Sequence, residues 1–342
     1  MIGMSQHLGF YLLIFGVFPL LLASRSYIWG RGGYAFLNHT NIEVIKGLSM
    51  LWIIVQSLSD RLVNKTLIIM SISKSGVLGV TLFLFCCGFE AMMQYRSNRR
   101  YLKGFIFHQI IRILFVFLFC NVIGTLINIY RGGYDEVVTI FKDTLAFRFS
   151  DGTSASLIGT LLYFYLAFYI SYRTKFKMNS LVWMSITYIA ISLILKWNAS
   201  IAFCFCIGVF TAQYKKYIFK LLRQHLPSIF FMALFTFSSV YFLYLRGAFF
   251  MMPLLPYLFL IVIFCVLMKL QCRSRFFMMM GSSAIELYLI HELLLLLLFS
   301  DIKAKEGLFF ILFWVLAIIG ALFLKNVSHQ MFFVPNPSPK LK

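Results

Sequence analysis

Ionisable side chains set inside long apolar runs are the residues of this sequence that could do chemistry. Charge within such a run is costly, so each is a functional candidate by default. Glu90, His108, Arg112, Glu286 and the adjacent pair His291–Glu292 meet that description, and Gln56 and Ser57 are polar companions in another run. His108 and Arg112 are four residues apart and are expected on one helix face. Glu90 or Glu286 could be brought to Arg112 by helix packing. Such a contact reads in two ways. It is either a buried ion pair locking helices together, or part of an anion site for a phosphate or pyrophosphate, which a planar guanidinium suits. Tyr288, His291 and Glu292 stand at i, i+3 and i+4 and line one face of their helix. His291 beside Glu292 is either an interhelical hydrogen-bonding group or a general base.

These residues need helices to position them, and the composition says of what kind. The 342 residues are 61% hydrophobic and 12% charged, with a mean hydropathy of +0.88. A soluble chain is about a quarter charged, so lipid must serve as much of the solvent here. Hydropathy marks about eleven apolar runs, near 8–24, 41–59, 75–95, 105–129, 155–172, 179–195, 199–214, 226–245, 249–268, 277–299 and 307–325. The expected fold is all-α, a polytopic transmembrane helix bundle. The first run lacks the basic start and small-residue cleavage site of a secretory signal, so it reads as a span. The seven Cys lie in or next to apolar runs without zinc-type spacing and read as small apolar residues; no metal site is expected.

The formal charge of +20 could suggest nucleic acid, but the basic residues are spread between apolar runs rather than gathered on one face or tail. They sort instead as topology signals. With the N-terminus outside, the inside loops carry roughly twice as many Lys and Arg as the outside loops, while most acids fall outside. The expected orientation is N-out, C-in. The longest outside loop, about Ile129 to Ser154 with Arg131-Gly132-Gly133-Tyr134, is a lid or a plain connector. The tail around Pro335–Pro339 is expected to lack structure.

Several of these segments, in order, resemble the acyltransferase family 3 membrane proteins. Met280 to Glu292, reading MGSSAIELYLIHE, resembles that family's late G-x-x-S-x-x-x-Y-L-I-H segment. Ile45 to Val55 is similar to its opening L-R-G-I-A helix, with Lys46 at the Arg position. Gly79 to Phe89 is similar to G-V-D-L-F-F-V-L-S-G-F, and Phe107 to Ile113 to K-R-x-x-R-I, with Arg112 at the second Arg. Weaker echoes are Leu161–Tyr165 and Phe205–Val209. Three departures stand out. Ser57, next to Gln56, occupies the place of the family's presumed catalytic His; Thr81 replaces an Asp, and Gln109 an Arg.

The resemblance implies an acyltransferase-3-like transmembrane domain over 41–325, with ten core spans. Residues 1–40 would be an additional N-terminal helix and cytoplasmic loop, and 326–342 a cytoplasmic tail. It implies transfer of an acyl group, usually acetyl, from cytoplasmic acyl-CoA to a hydroxyl of a surface or secreted polysaccharide or its lipid-linked precursor. Lys46 and Arg112 would hold the donor, and His291, His108 or Glu292 would supply the base. Acyl-CoA would be a co-substrate, with no cofactor bound permanently. The expected location is the cell (cytoplasmic) membrane of a bacterium, among lipid. The missing His leaves a rival expectation, an inactive relative serving polysaccharide assembly or export.

Overall fold

The computed structural model describes residues 8–24, 26–28, 37–62, 65–130, 144, 157–174, 180–195, 197–299 and 306–332. The loop residues Arg131-Gly132-Gly133-Tyr134 and the Pro335–Pro339 tail lie outside the described residues. Thirteen helices are described: α1 (Leu8–Ala23), α2 (His39–Arg61), α3 (Leu67–Lys74), α4 (Gly76–Ser97), α5 (101–130), α6 (Leu157–Arg173), α7 (Ser180–Leu195), α8 (Cys204–Gln213), α9 (Lys215–Leu245), α10 (Leu255–Leu267), α11 (Arg275–Ser282), α12 (Ala284–Phe299) and α13 (Glu306–Phe332). A two-residue antiparallel pair, β1 (Tyr27–Ile28) with β2 (Leu270–Gln271), ties the segment after α1 to the segment before α11.

Each apolar run read from the sequence contains a helix. Among the described residues, five stretches are long and apolar enough to cross a membrane: α2, the α3–α4 stretch, α5, α9 and the Ile311–Phe332 part of α13. The pair α11–α12 makes a sixth if counted as one span, bent by 80° at Ser283. The remaining runs form helices shorter than the roughly 20 residues a full crossing takes. Large apolar side chains on α5, α9 and α13, among them Leu126, Phe231, Phe235 and Phe323, are exposed. That much outward apolar surface suits lipid and not water. The chain is a helical membrane protein.

Local sequence explains the element ends. Asn38 caps α2, its Oδ1 accepting from the Asn41 amide at 2.7 Å. Asn41, wholly buried, in turn accepts from the Cys272 amide at 3.0 Å. Pro227 removes a backbone donor, and α9 breaks at His225 just ahead of it. The apolar run read at 226–245 is therefore the part of α9 beyond the kink. α13 continues to Phe332, so residues 326–332 are helical.

Two glycine crossings hold the centre together. A Cβ on Gly47 of α2 would lie 2.0 Å from the Phe277 carbonyl oxygen of α11, and one on Gly281 of α11 would lie 2.0 Å from the Glu43 carbonyl oxygen of α2. Gly88 of α4 and Gly208 of α8 repeat the arrangement, each with a backbone oxygen of the other helix at 2.2 Å. Lipid supplies little hydrophobic drive between helices, so close backbone approach over small residues does the packing. The core is filled mainly by Leu, Ile and Phe, and by the seven Cys, all buried thiols.

Candidate functional site

The crossings place charge. Lys46 precedes Gly47, Glu43 lies one turn before it on the same face, and Glu90 follows two residues after Gly88. Gly281 leads through the bend at Ser283 to Glu286 in the first turn of α12. These side chains converge, with Arg112 of α5 and Lys325 of α13, on a cavity of about 210 Å³.

Two ion pairs cross it. The Lys46 ammonium is 2.8 Å from Glu90 Oε2 and 3.6 Å from Glu43 Oε1. The Arg112 guanidinium donates to Glu286 Oε1 at 2.6 Å, and the Ser328 hydroxyl reaches the same oxygen at 3.3 Å. Glu286 is 1% exposed. Lys325 donates to the Ser282 hydroxyl at 2.6 Å. Of the two acids that could have met Arg112, Glu286 does so, while Glu90 goes to Lys46. Tyr101, Tyr165 and Phe83 line its aromatic wall, and Gln109 donates to the Tyr101 hydroxyl at 3.5 Å.

The sequence-based candidates divide. Lys46, Glu90, Arg112 and Glu286 come together. His108 does not join them at the cavity; it lies in a π-helical turn, Ile106–Ile111. Its Nδ1 is 2.7 Å from the Gly104 carbonyl oxygen, and the residue is outside the cavity lining. Tyr288, His291 and Glu292 are neighbours and buried, with ring centroids of Tyr288 and His291 5.1 Å apart and His291 Nε2 3.5 Å from Glu292 Oε1. They too stand apart from the lining. Gln56 donates to Asp60, which also accepts from Ser73 and lies 3.6 Å from Lys65. This network and Ser57 stand toward the other end of α2; the eleven residues from Lys46 to Ser57 span about 16 Å of helix. Thr81 turns its hydroxyl back to the Val77 carbonyl.

Glu43, Tyr101, Gln109, Tyr165, Ser282 and Lys325 were missed as site residues. Glu43 had a signal, its i, i+3 spacing to Lys46; the others are brought in by tertiary packing alone.

Nearby, at the C-terminal end of α4, two adjoining crevices of about 610 and 540 Å³ share Arg96, Gln213 and Tyr214. Arg96 donates to the Ala212 and Gln213 carbonyl oxygens, closing the end of α8. Arg99, Lys215, Lys216, Tyr95 and Tyr172 also line them, and no acid is among the described lining residues.

Comparison with known proteins bears on this geometry. Searches of curated proteins and of solved structures each give no match. The family model described as "Acyltransferase domain" matches residues 39–325, a stretch that contains every residue of the two ion pairs. The chain belongs to acyltransferase family 3.

Proposed function

We propose that this chain transfers an acyl group, acetyl in the simplest case, from a cytoplasmic acyl-CoA to a hydroxyl of a surface or secreted polysaccharide or its lipid-linked precursor. One observation carries the reading: within the matched region, Lys46 and Arg112 and their carboxylate partners face a single cavity. The proposal includes a multi-pass chain in the cytoplasmic membrane, crossing about eleven times with its N-terminus outside. The loop charges support this orientation.

The geometry refines the part given to Lys46 and Arg112. Each cation lies against a carboxylate, so neither is available to balance the phosphates of CoA. Each can still offer an N–H to charge developing on an acyl carbonyl oxygen. Phosphates are better suited to the acid-free crevices around Arg99 and Lys216. The imidazoles remain candidates for the base. Because neither His108 nor His291 lines the cavity, Glu90 or Glu43 is nearer to a hydroxyl bound there.

A second reading, an inactive relative in polysaccharide assembly or export, is favoured by Ser57 and Gln56 standing where the resembled family has its His. Mass spectrometry of the host's surface glycans separates the two, comparing wild type, a deletion strain, and the deletion complemented with the native gene or with Arg112→Ala. An ester-linked acyl group that vanishes on deletion and returns only with the native gene supports transfer. Unchanged acylation with altered polysaccharide amount or length supports the second reading.

A further inference from the structure

A second hollow, of about 380 Å³, shares no lining residue with the charged cavity. It is bounded by α2, α3 and α4 on one side and by α9 and α10 on the other, with Leu48, Trp52 and Leu82 facing Phe237 and Phe259. The packing of these helices explains it. α10 packs on α4, with the Phe264 and Phe85 rings 5.1 Å apart, while α9 packs chiefly on α10. α9 returns to the body at Tyr241, whose hydroxyl donates to the Ser71 carbonyl at 2.7 Å. The hollow is the half-open crevice left between α9 and the α2–α4 body.

The crevice calls for an apolar occupant. Its polar groups are turned onto the protein: Trp52 Nε1 donates to Ser75 Oγ at 3.0 Å, Ser75 to the Ile72 carbonyl at 2.6 Å and Ser49 to the Lys46 carbonyl at 2.8 Å. No charged residue is among the described lining residues. Water needs several polar partners to settle, and an empty void would cost the walls their dispersion contacts. The surrounding helices carry exposed apolar side chains, Met70 on α3, Phe242 on α9 and Ile261 on α10, so the crevice is set in a lipid-facing wall. Its volume matches about a dozen methylene-sized groups at ~30 Å³ each.

We propose that this crevice takes one hydrocarbon chain of a bilayer phospholipid, packed between α9 and the α2–α4 body. The chain supplies the contacts that α9 lacks with that body. With no charge in the described lining, the lipid is held by its chain and the headgroup is not selected. The site stands independently of the acyl-transfer reading above.

Trp52, in the wall, reports on the occupant. The full-length chain in detergent is titrated with phosphatidylcholine brominated in its acyl chains, because bromine quenches indole emission on contact. The chain has five tryptophans, and the Trp52 signal is the difference between the native chain and Trp52→Phe. Trp52 should be half-quenched at a lipid concentration about tenfold below that for the rest, which include the lipid-exposed Trp183. Ile263→Phe adds a ring to the lining and should raise that concentration about tenfold. Ile319→Phe, on an exposed face of α13, should leave it unchanged. Brominated phosphatidylglycerol should act as phosphatidylcholine does. Quenching of Trp52 in step with the other tryptophans, or unmoved by Ile263→Phe, would overturn the proposal and reduce the crevice to ordinary lipid-facing surface. A strong preference for one headgroup would overturn recognition by the chain. Displacement of the brominated lipid by a polyprenyl phosphate, at concentrations where plain phospholipid fails to displace it, would overturn it in favour of an isoprenoid. Should a variant fail to fold, native mass spectrometry of the native chain decides: one phospholipid retained through delipidation supports the site, and none overturns it.

Discussion

Helix α12 carries two buried polar groups that are built in opposite ways. Glu286, in its first turn, reaches across to Arg112 of α5 and Ser328 of α13 and faces a cavity. His291, five residues on, is wholly buried, and Glu292, 3.5 Å away, is on its own helix. The first arrangement joins three helices beside an open volume. The second has a described partner beside it on the same helix. Charge buried in a membrane protein is thus not one kind of signal: in one place it bridges helices beside an open volume, in the other it lies next to its helical neighbours, away from that volume.

The comparison breaks most sharply at Arg112. Arg112→Ala strands the buried Glu286 carboxylate and should cost about 3–5 kcal/mol of stability, read as a fall in the thermal midpoint in detergent, with glycan acylation lost. Adding Glu286→Gln should recover much of the midpoint but none of the acylation. Next comes the frame. Gly281→Ala sets a Cβ 2.0 Å from the Glu43 carbonyl oxygen; forcing that crossing apart should cost about 1–3 kcal/mol, while Gly320→Ala, which meets only the Ile290 side chain, should change the midpoint little.

Smaller effects sharpen the contrast. A double-mutant cycle on Lys46→Met and Glu90→Gln should give a coupling of about 1–2 kcal/mol; a value near zero would mean the short contact is not a working pair. His291→Leu replaces a buried ring whose contacts among the described residues are with its own helix and should stay within about 1 kcal/mol of the native chain, with acylation retained. Lost acylation at an unchanged midpoint would erase the distinction between the two regions and restore His291 as a base. His108→Ala should be mildest, about 0.5 kcal/mol for its contact with the Gly104 carbonyl.

Much of this was legible in the sequence, unevenly and for physical reasons. Hydropathy found the helical segments because an apolar run in lipid has to close its own backbone hydrogen bonds. It also picked out Glu90, Arg112 and Glu286, since charge inside such runs is rare; Lys46 came from the family resemblance. The choice of Glu286 over Glu90 for Arg112 depends on which helices touch, which periodicity does not encode. The π turn at 106–111 was invisible to periodicity. The 80° bend had a trace in Gly281-Ser282-Ser283, and the kink of α9 a plain one in Pro227. Gly47, Gly88, Gly208 and Gly281 each fall within a segment that carries the family resemblance. Their shared property, seen only in three dimensions, is that another helix's carbonyl lies where a Cβ would be.

Those crossings have a mechanical consequence. Each glycine pair welds two helices, α2 to α11 and α4 to α8, into bodies with little freedom to slide. The shortest polar contact between the two bodies is Lys46 with Glu90. A third glycine lies on that seam: a Cβ on Gly79 of α4 would stand 3.0 Å from the Ser49 carbonyl oxygen of α2, so the ion pair spans a packed joint and not a gap.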